Sequence, residues 1–168
     1  RAVTVTVNSA IPANALKGIA ITAGYRNSFV VATDRTVWAW GEGVDATTGH
    51  DNVSGSWTQW ALRPVQVAGL VGVAKVATLK SGGTAYGSQY ALHVDGTVSA
   101  WGNNIYGQLG DRTVAIDRIA PVKVMDGALP IDKVCDIAAG NAILVAIRSD
   151  EADGSCGPGK ASRAWIAG

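Results

Sequence analysis

Short apolar runs separated by glycine, aspartate and asparagine recur along the 168 residues. In the middle of the chain these runs are residues 65–67, 73–79, 90–94 and 97–101. Residues 4–7 alternate between polar and apolar side chains, as a half-buried strand does. Asp95-Gly96 between two apolar runs is typical of a β-hairpin, because glycine tolerates a positive φ in the turn. No segment of the sequence has helical periodicity, so the pattern predicts an all-β chain.

The apolar runs belong to a longer internal repeat. Residues 29–41 match residues 90–102 without a gap, and residues 145–150 repeat the apolar run that ends in aspartate. A short anchor precedes each unit, at residues 1–5, 63–67 and 120–124. Cutting at the anchors divides a single domain, residues 1–168, into units 1–62, 63–119 and 120–168. Four short strands per unit at this period predict the blades of a β-propeller.

The middle unit carries the most specific motif. Residues 95–111 read DGTVSAWGNNIYGQLGD, and this run resembles the RCC1 repeat (regulator of chromosome condensation), whose pattern is approximately DGxVxxWGxNxxGQLG. The resemblance implies blades of four antiparallel strands, normally about seven of them around a central channel. The predicted fold is therefore an all-β propeller segment of three four-stranded antiparallel blades. Such a segment is incomplete unless it oligomerises or belongs to a longer chain.

The resemblance also implies structural roles for the repeat residues. Two bulky tryptophans are expected to fill the space between neighbouring blades, Trp40 and Trp101. Four glycines are expected to let the backbone turn tightly after a strand, Gly41, Gly102, Gly107 and Gly110.

Composition narrows the choice of partners. Hydrophobic residues make up 48% of the chain and charged residues 16%, which excludes intrinsic disorder. A net charge of +1 gives no electrostatic footprint for nucleic acid, and no apolar run is long enough to cross a membrane. We therefore expect a protein partner, or further copies or blades of the same propeller. Residues 4–7 are also similar to strand ends in modular bacterial surface proteins, which favours an extracellular or cell-surface location over the cytoplasm.

Cysteine and histidine are too sparse for a metal centre. The chain has two cysteines and two histidines, with no pair of cysteines at zinc-ligand spacing. We expect no metal and no cofactor. Cys135 and Cys156 could form a disulfide or remain two buried thiols, and the spacing favours neither. His50 and Asp51 could form an acid–base pair, the alternative being solvated polar residues, and His93 is expected to be partly exposed.

The first unit departs from the repeat. Residues 44–60 replace the GQLG turn and contain Trp57 and Trp60. Insertions in repeat proteins map to loops on one face, which is often the binding face, and tryptophan is enriched at binding hot spots. The candidate binding residues are therefore Trp57, Trp60, His50 and Asp51. The alternative is that both tryptophans pack on a neighbouring blade.

The leading hypothesis is a non-enzymatic protein-binding module that uses loops on one face of the blades. The alternative is a structural subunit that closes a ring or filament through its blade edges. The resemblance also extends to exchange factors for small GTPases, but no wedge-forming insertion is recognisable. A propeller hydrolase would need clustered carboxylates with a histidine or metal, and the sequence has no such constellation.

Overall fold

The structure, a computed structural model, describes residues 17–42, 60–78, 87–140 and 142–167. Thirteen strands and no helix lie within these ranges. The first sheet contains β1 (Gly18–Ala23), β2 (Asn27–Ala32), β3 (Val37–Glu42) and β4 (Trp60–Gln66). The second contains β5 (Val73–Thr78), β6 (Ser88–His93), β7 (Val98–Gly102) and β8 (Arg118–Lys123). A hairpin of β9 (Met125–Asp126) and β10 (Leu129–Pro130) precedes the third sheet of β11 (Val134–Gly140), β12 (Ile143–Ser149) and β13 (Ser162–Ala167).

The three sheets are antiparallel throughout, with strands paired in chain order. The all-β class and the four-stranded antiparallel sheets predicted from the repeat are confirmed. The third sheet has three strands in the described part of the chain.

The strands are grouped differently from the sequence units. Residues 65–67 were predicted to begin the middle set of four strands. Instead, β4 pairs with β3 and completes the first sheet, and β8 pairs with β7 and completes the second. Pro64 and Pro121 lie in these outermost strands, where a missing N–H leaves no ladder partner unsatisfied. Each completed sheet therefore takes its last strand from the sequence unit that follows it.

Apolar side chains fill the spaces between neighbouring sheets. The core between the first and second sheets contains Phe29, Val31, Val37, Ala39, Val76, Ala91 and Trp101. The core between the second and third contains Tyr90, Leu92, Val98, Ala100, Ile137, Leu144 and Ala146. Successive side chains of a strand point to opposite faces, so the second sheet buries both faces and every residue of β6 and β7 is buried.

Trp101 is the largest of these side chains and is 0% exposed. Its ring centroid lies 6.1 Å from that of Phe29, with the rings inclined by 75°. Trp40 has the same register, because Trp40 is paired with Ser28 as Trp101 is paired with Gln89. Trp40 is only half-buried, since no sheet among the described residues covers its side of the first sheet.

The third sheet has a different residue at the tryptophan position. Ala167 is paired with Leu144, at the place that Trp101 occupies in the second sheet. Trp165 lies two residues earlier and is partly buried against the core between the second and third sheets.

The alternation of strand direction places the connections at two edges of the sheets. We call the edge that holds residues 24–26 and 103–117 the loop edge, and the opposite edge the hairpin edge. The hairpin edge holds residues 33–36, 67–72, 94–97, 124–133 and 150–161. Cys135 and Cys156 form a disulfide with a Cα–Cα distance of 5.7 Å. This bond ties the long connection between β12 and β13 to β11.

Candidate protein-binding edge

The loop edge is built on glycines that end the third strand of a sheet. Gly102 has a φ of +97°, and a Cβ added there would lie 2.3 Å from the carbonyl oxygen of Gly87. Gly41 has a φ of +104°, and its added Cβ would lie 2.3 Å from the carbonyl oxygen of Arg26. Both positions therefore require glycine for close backbone approach as well as for the backbone angle. Only the turn was apparent from the sequence.

A buried polar network organises residues 103–117. Asn104 is 0% exposed, and its backbone N–H donates to Asp117 Oδ1 over 2.8 Å. Its amide nitrogen donates to the carbonyl and hydroxyl oxygens of Thr113 over 3.1 and 3.0 Å. Its amide oxygen accepts the N–H of Leu109 over 3.0 Å. One side chain therefore joins the two halves of the loop.

Gln108 anchors the loop to the second sheet. This side chain is also 0% exposed; it accepts the N–H of Tyr106 over 2.8 Å and donates to Asn103 Oδ1 over 2.9 Å. The Tyr90 hydroxyl donates to the Gln108 carbonyl over 2.8 Å. Burial raises the pKa of Tyr90, so its hydroxyl keeps its proton at neutral pH and remains a donor.

An ion pair closes the far end of the loop. Arg118 Nε lies 2.6 Å from Asp111 Oδ2, and only 5% of the Asp111 side chain is exposed. Burial acts to raise the pKa of Asp111, but hydrogen bonds from Thr113 and Arg118 outweigh burial and leave the pKa lowered. Asp111 therefore stays ionised at neutral pH and holds Thr113, which bonds to Asn104.

Gly110 is where the loop meets the third sheet. Its φ is +62°, and an added Cβ would lie 3.4 Å from Ala167 Cβ and 3.8 Å from the ring of Trp165. The positive φ and the close approach to Val124, whose Cγ1 would lie 3.1 Å from the added Cβ, favour glycine here, whereas the distances to β13 are ordinary van der Waals contacts.

Four exposed apolar side chains lie on top of this network. Ile105, Tyr106, Val114 and Ile116 are 44%, 62%, 65% and 50% exposed. The N–H of Ala115 donates to the carbonyl of Asn104 over 2.8 Å, which brings the two pairs to the same end of the loop. We call these four residues the apolar crest. Ile105 and Tyr106 occupy the two variable positions of the NxxGQLG motif, so the motif gave no signal for them.

The hairpin edge is built from local turns. Asp95 Oδ1 accepts the N–H and hydroxyl of Thr97 over 2.9 and 2.7 Å, and Asp34 accepts the same groups of Thr36 over 3.0 and 2.7 Å. Hydrogen bonds from Thr97 lower the pKa of Asp95, and those from Thr36 lower the pKa of Asp34. These aspartates serve the turns.

The prediction that His93 is partly exposed was wrong. His93 is 9% exposed; its Nδ1 lies 2.8 Å from the Val71 carbonyl and its Nε2 lies 2.8 Å from Ser99 Oγ. The first sheet and residues 67–72 cover this position, a tertiary effect that strand alternation alone cannot reveal. Burial is the main cause of a lowered His93 pKa.

Of the four candidate binding residues of the first unit, only Trp60 lies within the described part of the chain. Residues 43–59 connect the end of β3 to the start of β4. His50, Asp51 and Trp57 lie outside the described residues. Trp60 is described only through its backbone, as the first residue of β4, where it is paired with Glu42.

Within the described ranges, no three His, Cys, Asp or Glu side chains are grouped closely enough to hold a metal ion. The same ranges contain no helix long and apolar enough to cross a membrane.

Comparison with known proteins agrees with the repeat. Residues 95–147 match the family pattern of the regulator of chromosome condensation (RCC1) repeat. Over 146 residues the chain is 27% identical to the E3 ubiquitin-protein ligase HERC2 of Mus musculus and to that of Homo sapiens. The alignments cover 86% of this chain and 3% of HERC2, so the chain spans a very small part of these relatives.

Solved structures share the fold. Prp20p from Saccharomyces cerevisiae, described with its binding to Gsp1p and histones, has a TM-score of 0.61 at 16% identity over 79% of this chain and 31% of Prp20p. Human WBSCR16 has a TM-score of 0.62 at 21% identity over 82% of this chain and 32% of its own. Yeast RCC1 (Prp20) bound to Kap60 has a TM-score of 0.59 at 17% identity over 79% of this chain and 30% of that one. The chain therefore contains a segment, residues 95–147, that matches the RCC1 repeat, and its sheets have the fold of RCC1-like propeller blades.

Proposed function

We propose that this chain is a non-enzymatic protein-binding module that contacts its partner through the loop edge. The observation that carries the proposal is the apolar crest, four exposed apolar side chains held above a buried polar network. Contiguous exposed apolar groups at one site are typical of interaction surfaces. Tyrosine is enriched at the energetic centres of such surfaces, which makes Tyr106 the expected centre.

The rigidity of the loop supports binding through it. Asn104, Gln108 and Asp111 fix both halves of the loop before any partner arrives. A preorganised surface loses little conformational entropy on association, so more of the contact free energy contributes to affinity. A loop with no internal bonds would not favour a binding role in this way.

The first sheet extends the apolar surface along the same edge. Leu62 is 89% exposed near the start of β4. Tyr25 is 56% exposed in the turn between β1 and β2, and the Arg26 guanidinium carbon lies 4.9 Å from its ring centroid. Trp57 lies outside the described residues and Trp60 is described only through its backbone, so their binding role stays a prediction from the sequence.

The relatives support a protein as the partner. Prp20p is described with its binding to Gsp1p and histones, and yeast RCC1 (Prp20) is found bound to Kap60. Their sequence identity to this chain is below 20%. We therefore propose that the partner is a protein, without proposing which protein it is. The name of HERC2 gives a ligase, and this chain matches too little of it to share that activity by inference.

We also propose an extracellular or cell-surface location. Its support is the Cys135–Cys156 disulfide, because such bonds persist mainly in oxidising compartments. Mass spectrometry of the protein isolated from its source, alkylated without reduction, tests this: two alkylated cysteines in the native protein would contradict it.

Site-specific photocrosslinking tests the binding proposal. A photoreactive amino acid is placed at Tyr106 or Ile116 on the apolar crest, and at Val71 or Leu129 on the hairpin edge as controls. Val71 and Leu129 are 71% and 72% exposed, so the four positions are comparably accessible. We expect a discrete crosslinked protein from positions 106 and 116 only, competed by excess unlabelled chain. Equal crosslinking from all four positions would contradict the proposal.

A further inference from the structure

Each end of the row of sheets presents an apolar face that no sheet in the described part of the chain covers. On the third sheet, Ile143, Ile147 and Ile166 are 43%, 39% and 65% exposed. On the first sheet, Ile21 is 85% exposed and Trp40 is half-buried. We call these the tail face and the head face.

Strand register shows that the tail face is the equivalent of two buried faces. Ile147 is paired with Ala164 as Leu92 is with Val98. Val145 is paired with Ile166 in the same way that Tyr90 is paired with Ala100. Leu92, Val98, Tyr90 and Ala100 are 5%, 0%, 1% and 0% exposed because the third sheet covers them. The tail face therefore has the register of a surface that normally receives another sheet.

The head face is the equivalent of the surface that docks onto such a face. Ile21 is paired with Val30 as Val76 is paired with Ala91. Val76 is 4% exposed where it packs against the first sheet, whereas Ile21 is 85% exposed. Trp40 has the register of Trp101, which packs against Phe29.

We propose that the tail face of one copy of this chain binds the head face of a second copy. The molecule itself shows how the two kinds of face fit, since the first sheet receives the second and the second receives the third. In this contact Trp40 of the second copy lies over Val145, the register equivalent of Phe29. The contact uses sheet faces, so it is independent of the loop edge and of the proposed function.

One feature of the internal contacts is not reproduced at the tail face. The N–H of Val73 donates to the Arg35 carbonyl, and that of Val134 donates to the Gly96 carbonyl, each over 3.0 Å. Glu151 follows Asp150 as Arg35 follows Asp34, but its carbonyl already accepts the N–H of Gly154 over 3.0 Å. The contact between copies therefore lacks this backbone hydrogen bond, and we expect it to be reversible and concentration-dependent.

Sedimentation velocity of the chain and of two single-face variants tests this inference. We expect the wild-type mass to rise above 17.2 kDa with concentration. Ile21→Asp on the head face and Ile166→Asp on the tail face should each weaken association about 100-fold, because a carboxylate would be desolvated without a partner. Both side chains are exposed in one copy, and circular dichroism checks that each variant folds. Val71→Asp and Leu129→Asp, exposed positions outside both faces, should associate as the wild type does.

Mixing the two variants gives the decisive result. Ile21→Asp keeps an intact tail face and Ile166→Asp keeps an intact head face, so the mixture should recover a species of twice 17.2 kDa that neither variant forms alone. Pairing of two like faces would leave one variant unaffected, and that outcome overturns the head-to-tail contact. A wild-type chain that stays monomeric at every concentration also overturns the head-to-tail contact. The head and tail faces would then be surfaces for blades other than those of a second copy.

Discussion

Trp101 and Trp40 allow the packing between blades to be measured with one substitution at two equivalent positions. Trp101 is 0% exposed and packs against Phe29 in the neighbouring sheet. Trp40 has the same strand register and is half-buried, with no sheet over it in the described residues. Alanine at each position therefore removes the same side chain, with and without a neighbouring sheet.

The expected magnitudes follow from burial. A tryptophan buries about 200 Å², and at about 25 cal/mol per Å² this is worth about 5 kcal/mol as an upper estimate. Trp101→Ala should therefore lower the free energy of unfolding by about 4 kcal/mol, within the range for large core truncations. Trp40→Ala should cost less than this, because Trp40 is only partly buried.

Chemical denaturation followed by far-ultraviolet circular dichroism measures both changes. Protein concentration is kept low so that the head face, which contains Trp40, is not covered by a second copy. Equal losses of stability for the two variants would refute the claim that the second sheet is stabilised by packing against the first.

Three further predictions concern single residues, each measured by denaturant unfolding. Gly102→Ala should destabilise the protein by about 2 kcal/mol or more, because it adds a backbone collision to the strain of a positive φ. Gly69 has a φ of +81° and nothing within 4 Å of the added Cβ, so Gly69→Ala should cost clearly less. Equal losses of stability would exclude the collision as the cause. Asp111→Asn should destabilise the protein at neutral pH by weakening the bond to Arg118. Since the folded-state pKa of Asp111 is lowered, the loss of stability relative to the wild type should be full above about pH 4 and shrink as pH falls below it. A loss that stays constant on acidification would contradict this. Wild-type stability should fall from pH 7 towards pH 5. The unfolded chain protonates His93 near the ordinary histidine pKa of about 6.5, whereas the lowered pKa in the folded state delays its protonation. His93→Gln should flatten this dependence of stability on pH, and an unchanged dependence would assign it to other groups.

The fold could be predicted because its signals are local. Asp95-Gly96 between two apolar runs specifies a hairpin from adjacent residues, and the structure pairs β6 with β7 there. The grouping of strands depends on which edge a distant strand finds. Residues 43–59 separate β3 from β4, and no local pattern indicates that β4 returns to complete the first sheet.

The candidate site was predicted less well for a similar reason. The motif located the loop at residues 103–111, but it could not show that Val114 and Ile116 would join Ile105 and Tyr106 on one surface. That placement depends on bonds such as the one from Ala115 to Asn104. The spacing of Cys135 and Cys156 was compatible with bonded and free thiols, and only their proximity in space distinguishes the two.

Hydrogen–deuterium exchange of the chain alone and with a captured partner tests the central claim most directly. Binding through the loop edge predicts slower exchange in residues 103–118, with smaller effects in residues 24–26 and 60–62. Residues 67–72, 94–97 and 126–130 at the hairpin edge should be unchanged. Protection confined to the hairpin edge, with residues 103–118 exchanging as in the free chain, would contradict the account.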